Sequence, residues 1–245
     1  MDSRSKIDTL LLKNDIHADD RRLEALIQYA RTLAQLENTM AVLSDMISGN
    51  SIIISGGFGS LLGLDGYDKE DSIWESRILD MMTPEEREIK FIAELRFFHF
   101  QRHLSKNKRH NYYLAARLRF SLPDNKTINV LHRMYYIYDE HSENVQYALC
   151  LYSPLYFDLR WKSQAVNSVT GETEEMATSV NRNILRHREC QVLSLIDEGL
   201  KSAEIAERLH ISVHTVSRHR QEILAKLRVK NSIEACRLAK RMDLI

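Results

Sequence analysis

Three consecutive runs between Tyr112 and Ser153 alternate with a period of two. "YYLAARLRFSL" puts Leu114, Ala116, Leu118, Phe120 and Leu122 on one side of an extended chain. "TINVLHRMYYIY" does so with Ile128, Val130, His132, Met134, Tyr136 and Tyr138, and "VQYALCLYS" with Val145, Tyr147, Leu149 and Leu151. Successive side chains of a strand point to opposite faces, so the pattern requires strands with a buried face. Pro123-Asp124-Asn125 and the polar stretch Asp139–Asn144 provide the two connections. The spacing predicts an antiparallel meander, and whatever precedes it has to cover that sheet.

Upstream, "DDRRLEALIQYARTLAQLENTMAVLSDMIS" (19–48) carries Leu23, Leu26, Ile27, Ala30, Leu33, Ala34, Val42, Leu43, Met46 and Ile47 at steps of three and four. One long helix is expected there, packed on its own domain or pairing two chains. Ser51–Ser55 reads as a short strand. The following Gly56-Gly57-Phe58-Gly59 lacks the Gly-Lys-Ser/Thr of a phosphate loop and reads as a tight turn. Pro84, Glu85 and Glu86 open a helix over 84–105, with Ile89, Ile92, Leu95 and Phe98 along one side. His99 and His103 share a face of it, but no third ligand completes a zinc pattern. The expectation is α+β, with helices on one face of the sheet.

From Ile184 onward the pattern becomes helical. Residues 182–245 hold 13 Lys and Arg against 8 Asp and Glu, and residues 1–181 hold 21 against 26, although the formal net charge is zero. A basic C-terminal part beside an acidic N-terminal part implies different partners for the two. "RHRECQVLSLIDEG", with Val192, Leu193 and Ile196 at helical spacing, stops at Gly199. "SAEIAERL" is a short helix capped by Ser202, "HIS" a turn, "VHTVSRHRQEILAKL" a longer helix, and "SIEACRLAKRM" a last one. A short helix, a tight turn and a longer helix make a helix-turn-helix, whose second helix enters the DNA major groove.

The helical wheel divides that second helix. With Val216 at zero, Ile223 and Leu227 fall within about 20° and Arg220 at about 40°. His214, Arg218 and Ala225 fall nearly opposite, flanked by Thr215, Ser217, Gln221 and Glu222. Arg218 can donate a bidentate pair to guanine, Gln221 likewise to adenine, and Thr215 near the helix start suits a phosphate.

The stretch "LRHRECQVLSLIDEGLKSAEIAERLHISVHTVSRHRQEILAKLRVKNSIEA" resembles the LuxR/FixJ-type DNA-binding domain, over roughly residues 182–245. The matches include Arg188-Glu189, Gly199, Glu204-Ile205-Ala206, Ile211-Ser212, Thr215-Val216, His219, Lys226-Leu227, Val229 and Asn231. The resemblance implies an all-α four-helix domain whose third helix reads DNA and whose fourth often pairs subunits. Base contacts would fall to Ser217, Arg218 and Gln221, and phosphate contacts to Thr215, His219 and, more weakly, Lys226. Arg186 stands where the family commonly has Ser or Thr. Ala203 and Ser217 replace common lysines, and Ser232 a common arginine, which lowers the expected electrostatic affinity.

The N-terminal part resembles a PAS-type sensory domain over about residues 40–155, through "LLGLD", "MTPEER" and the three closing strands. No Asn-Cys-Arg flavin-adduct motif and no haem ligand stands out. His132 is a candidate pocket residue, with a satisfied core histidine as the alternative. LuxR-type proteins also carry two other kinds of sensor. A phospho-receiver's acidic cluster, central Asp and later Lys have no place on the strand pattern. An acyl-homoserine-lactone-binding domain fits the length, but Trp74 and Trp161 do not match its pattern.

The sequence thus predicts a multidomain regulator: a helical segment (1–50), a PAS-like domain (51–162), a linker with room for a small strand (163–181) and a LuxR-type domain (182–245). Its expected partners are double-stranded DNA and a second copy of the chain, with RNA polymerase and a small-molecule ligand as further candidates. No cofactor, metal site or catalytic constellation is indicated. Cys150, Cys190 and Cys236 share no metal-like spacing and are odd in number, which suits a reducing compartment. No signal peptide and no apolar run near 18 residues is visible, so a cytoplasmic protein is expected. The alternatives are a quorum-sensing LuxR-type regulator with an acyl-homoserine-lactone-binding N-terminal domain and, from another class, an interaction module that does not bind DNA.

Overall fold

The computed structural model describes residues 3–245 except 13–19, 123, 125, 177–184, 228 and 242–243. Contacts gather the chain into two units: Asp2–Leu95 with Leu104–Glu175, and Met176–Ile245 with Arg96–His103.

The first unit begins with helix α1 (Ser3–Leu11), which buries Ile7, Leu10 and Leu11. Asp8 of that helix accepts the Trp74 indole N–H at 2.5 Å, and the Ser3 hydroxyl donates to Glu88 at 2.7 Å. Helix α2 (Asp20–Leu36) follows, then strands β1 (Met40–Asp45) and β2 (Ser51–Ser55), the short helix α3 (Gly57–Leu61) and strand β3 (Lys69–Glu70). Helices α4 (Ser76–Leu79), α5 (Pro84–His103) and α6 (Lys106–Arg109) lead into strands β4 (Tyr112–Ser121), β5 (Thr127–Tyr138) and β6 (Val145–Pro154). Strands β7 (Ser163–Asn167) and β8 (Thr173–Glu175) close the unit. All the strands join one antiparallel sheet in the order β3-β2-β1-β6-β5-β4-β7-β8.

The meander is found as expected, with Leu118 opposite Val130 and Met134 opposite Cys150. The central order β2-β1-β6-β5-β4, with helices between β2 and β4, is that of a PAS-like α+β domain. Three expectations are corrected. The single helix over 19–48 ends at Leu36, and Met40–Asp45 is a central strand inside the sheet. Met40, Ala41, Val42 and Leu43 are all buried, because β1 is flanked by β2 and β6 and covered on both faces. A run that is apolar on both faces carries no alternation, and in the sequence it merges with the preceding helical pattern. The expected start of that helix at Asp19 lies outside the described residues. The linker expected at 163–181 carries β7 and β8, which extend the sheet; residues 177–181 lie outside the described residues.

Helices also cover both faces of the sheet, not one. On one side Ala30 and Ala34 of α2 let that helix approach Ala41, Leu43, Tyr147, Leu149 and Leu151 closely. On the other side the N-terminal half of α5 lies over His132 and Cys150. Strand β6 is buried from Val145 to Tyr152 for this reason. Fully burying an aliphatic or aromatic side chain contributes about 1.5–3 kcal/mol, so the double-sided strands β1 and β6 anchor the unit.

The glycine cluster is the tight passage from β2 into α3. Gly56 donates its N–H to the Thr39 carbonyl at 2.9 Å, where a Cβ would lie 2.2 Å from the Ala34 carbonyl oxygen. Glycine is required there by the close approach of two backbones. Cys150 and Cys236 are buried, Cys190 half-buried, and all three are free thiols. Among the described residues no helix is long and apolar enough to cross a membrane.

Candidate nucleic-acid interface

The second unit contains helices α7 (His187–Asp197), α8 (Ser202–Arg208), α9 (Val213–Leu227) and α10 (Ser232–Arg241). The expected onset of the helical pattern at Ile184 lies outside the described residues. Each helix start is set by a local side chain. Glu189 accepts the Arg186 N–H at 2.6 Å, the half of a capping box that the third helical residue provides. Gly199, with φ of 90°, ends α7. At α8 the Lys201 N–H bonds Glu204 at 2.6 Å, and Ser202 is the first helical residue rather than the cap expected from the sequence. Ser212 caps α9 by accepting the Thr215 N–H at 3.0 Å, and Asn231 caps α10 by accepting the Glu234 N–H at 2.9 Å.

Val216, Ile223 and Leu227 of α9 are buried, as the wheel required, together with Val192, Leu193, Leu195, Ile205, Ala235 and Leu238. Leu195 takes the inner place expected for Ile196, which is half-buried. Arg220 also points inward. Its guanidinium donates to the Ser202 hydroxyl at 3.1 Å and to the Ser232 hydroxyl at 3.0 Å, and so ties α9 to the starts of α8 and α10. Ser232, where an arginine is common in the resembling family, is thus an acceptor for Arg220.

The outer face of α9 holds His214, Ser217, Arg218 and Gln221, all exposed. The Ser217 hydroxyl donates back to the Val213 carbonyl at 3.1 Å, which leaves its lone pairs outward. Arg218 Nε lies 3.5 Å from Glu222 Oε1. Thr215, at the first turn, is half-buried and shares a 2.8 Å hydroxyl hydrogen bond with Ser212. Of the six residues picked from the sequence, Ser217, Arg218 and Gln221 therefore form one face, with Thr215 at its edge.

The other two lie apart from that face. His219 has only 13% of its side chain exposed, with Nδ1 3.5 Å from Glu222 Oε2. Lys226 Nζ donates to both oxygens of Glu189, at 2.6 and 2.7 Å, and the Glu189 side chain is wholly buried. Its charge is spent inside the unit. The Glu189–Lys226 pair spans 37 residues, so no local spacing could have announced it.

In the first unit His132 is wholly buried but not satisfied. Its ring stacks on Tyr152 at 4.8 Å, and neither ring nitrogen has a hydrogen-bond partner. Burial, and secondly the Lys90 charge, hold it well below the usual histidine range. Beside it Lys90 Nζ lies 2.6 Å from Glu94 and 3.8 Å from Glu75, all three nearly inaccessible to solvent. Burial pulls Lys90 down, but the Glu94 and Glu75 charges raise it further, while burial raises Glu94 despite Lys90. The Tyr152 hydroxyl donates to Glu75 at 3.2 Å. Of this polar cluster the sequence pattern singles out only His132.

Two groups among the described residues combine donor types that hold metals: Glu94, His132 and Cys150, and Glu189, His219 and Glu222. In each, a lysine ammonium already occupies a carboxylate, Lys90 on Glu94 and Lys226 on Glu189. Neither group includes His99 or His103; His103 Nδ1 instead hydrogen-bonds the His99 carbonyl at 2.7 Å.

Residues 183–239 match the family described as "Bacterial regulatory proteins, luxR family". The chain is similar to the oxygen regulatory protein NreC of Staphylococcus carnosus (strain TM300): 36% identical over 92 residues, 37% of this chain and 42% of the relative. The NreC of Staphylococcus epidermidis (strain ATCC 12228 / FDA PCI 1200) is 33% identical over 93 residues, 37% of this chain and 43% of that protein. The match thus spans less than half the length of these curated relatives. Among solved structures, a phage VqmA–DPO complex aligns with 91% of this chain and 88% of its own, at 15% identity and a TM-score of 0.36. A PAS domain from Colwellia psychrerythraea aligns with 54% of this chain and 97% of its own, at 18% identity and a TM-score of 0.34.

Proposed function

We propose that this chain, whose C-terminal unit is a luxR-family helix-turn-helix domain, is a sequence-specific DNA-binding transcription regulator of the bacterial cytoplasm. One observation carries the reading: on α9 Val216, Ile223 and Leu227 are buried, while Ser217, Arg218 and Gln221 stand together on the solvent face. That is the donor set a major groove needs, with Arg218 reading guanine and Gln221 adenine. Thr215 at the helix start takes a phosphate, where the helix dipole also favours negative charge. His219 can join it only by turning outward, and Lys226 only by leaving Glu189.

Two copies would place their α9 helices in successive major grooves of a near-palindromic site, about one helical turn apart. The PAS-like domain would sense a signal or pair the two chains, with its buried Lys90–Glu94–His132 cluster as the most chemically distinctive part of the core. RNA polymerase and a small ligand are the further partners of this reading, and no catalytic role belongs to it.

The test uses the full chain and duplex DNA at rising salt. The affinity for random duplex should fall with log-log slope near −0.9 per phosphate neutralised. Arg218→Ala should then lose about 1–3 kcal/mol of discrimination at one base position. Salt-independent binding would refute DNA recognition, and uniform weakening on every sequence would reduce Arg218 to a phosphate contact.

A further inference from the structure

Glu222 is the one acidic side chain of α9, and it lies between the two residue sets just described. Its Oε1 is 3.5 Å from Arg218 Nε and its Oε2 is 3.5 Å from His219 Nδ1. On the helical wheel it falls between Arg218 and the side that carries Thr215 and His219. A carboxylate at this place acts against simple phosphate binding, since it faces the polyanion. We propose that Glu222 is a specificity-determining residue of the recognition helix: it positions Arg218 for a base, and its charge discourages binding where no base rewards that position. This rests on the reading of Arg218 as the guanine-binding residue.

The geometry gives the first half of the role. A guanidinium has five N–H donors in a fixed fork. When Nε–H faces the carboxylate, the two terminal NH2 groups remain free, and they are the donors that match guanine O6 and N7. Arg218 is 64% exposed and would otherwise sample many rotamers, so an i, i+4 partner that favours one of them removes part of the ordering cost on binding. The second half follows from charge. On a non-cognate site Arg218 has no acceptor pair, and Glu222 then remains as a negative charge close to the phosphates.

The two halves predict effects of opposite sign. In the full chain, Glu222→Gln should relax the base preference about fivefold, at the same position that Arg218→Ala relaxes. Binding to random duplex at fixed salt should tighten, by roughly twofold, because one repulsive charge is gone. Glu222→Asp keeps the charge but is one methylene short of Nε; it should relax the preference without tightening random binding. Adding Glu222→Gln to Arg218→Ala should cost no further discrimination. Selection from a random DNA pool, followed by competition binding, reads all four variants. Glu222 is partly exposed on a surface helix and lies against the largely buried His219, so circular dichroism checks that each variant is folded.

A preference retained in Glu222→Gln but lost in Arg218→Ala overturns the proposal alone. Weakening of Glu222→Gln on all sequences alike overturns it too, by making the residue structural. A wild-type chain whose base preference Arg218→Ala leaves untouched overturns the reading of Arg218, and the proposal with it.

Discussion

Lys226→Met distinguishes a lysine that serves the fold from one that serves DNA. Lys226 Nζ meets both oxygens of a carboxylate that is wholly buried, and the other donor to Glu189 is the Arg186 N–H at 2.6 Å. Removing one partner of a buried ion pair costs about 3–5 kcal/mol, because the remaining charge is left desolvated. A third of the Lys226 side chain is exposed, so water can reach the vacated side, and the expected loss is lower, about 2–3 kcal/mol. Glu189→Gln added to Lys226→Met should recover at least half of it, since a neutral amide still accepts the Arg186 N–H. The assay has to be local. Neither residues 176–245 nor residues 96–103 contain Tyr or Trp, so tyrosine and tryptophan signals report the other unit. Amide hydrogen exchange of peptides from α7 and α9 gives the opening free energy directly. The same protein, titrated with random duplex, should keep the salt slope of the wild type. A stability change below about 0.5 kcal/mol together with a slope reduced by about 0.9 would refute the reasoning and return Lys226 to a phosphate.

His132 makes a pH prediction with a definite sign. Its folded value is depressed by burial, so below about pH 6.5 the unfolded chain binds a proton that the folded chain refuses. Stability should therefore be retained above that pH and fall as the pH drops through it, by up to about 1.4 kcal/mol per unit from this group. His132→Phe keeps the stack on Tyr152 and should flatten that part of the slope in urea unfolding between pH 7 and 5; an unchanged slope would count against the assignment. Gly56→Ala should destabilise the PAS-like unit by about 1–3 kcal/mol in urea unfolding, since the new methyl meets two backbone carbonyls that cannot both retreat.

The parts of the fold that were legible in the sequence are those with one buried face. Strands β4 and β5 alternate because one side meets the core, and α9 divides on a wheel because Val216, Ile223 and Leu227 turn inward. Strand β1 was illegible for the opposite reason. Met40–Leu43 is apolar on both faces, and such a run has no period of its own. Strand β6 escaped the same fate through its neighbours. Its inner residues Ala148, Cys150 and Tyr152 are as buried as Tyr147, Leu149 and Leu151, but a strand was already expected next to β5.

The candidate site divides along a similar line. A wheel reports which way a side chain points, and it placed Ser217, Arg218 and Gln221 correctly outward. It does not report what a side chain meets. Lys226 and His219 lie on the flank of α9 that faces α7, and there Lys226 finds Glu189, a residue that also holds the start of α7 through Arg186. One buried carboxylate thus fixes the end of the recognition helix to the start of the first helix of the unit. Arg220 does the same for α8 and α10 through Ser202 and Ser232. Two of the basic residues of "SRHRQEILAK" are therefore braces that hold α9 at a set orientation, and a single exposed arginine remains on the helix, the one that the proposed reading assigns to a base. If α9 reads DNA as proposed, a helix so sparing of free cations would depend on how that arginine is aimed, and the nearest carboxylate, Glu222, would then matter more than it would on a lysine-rich face.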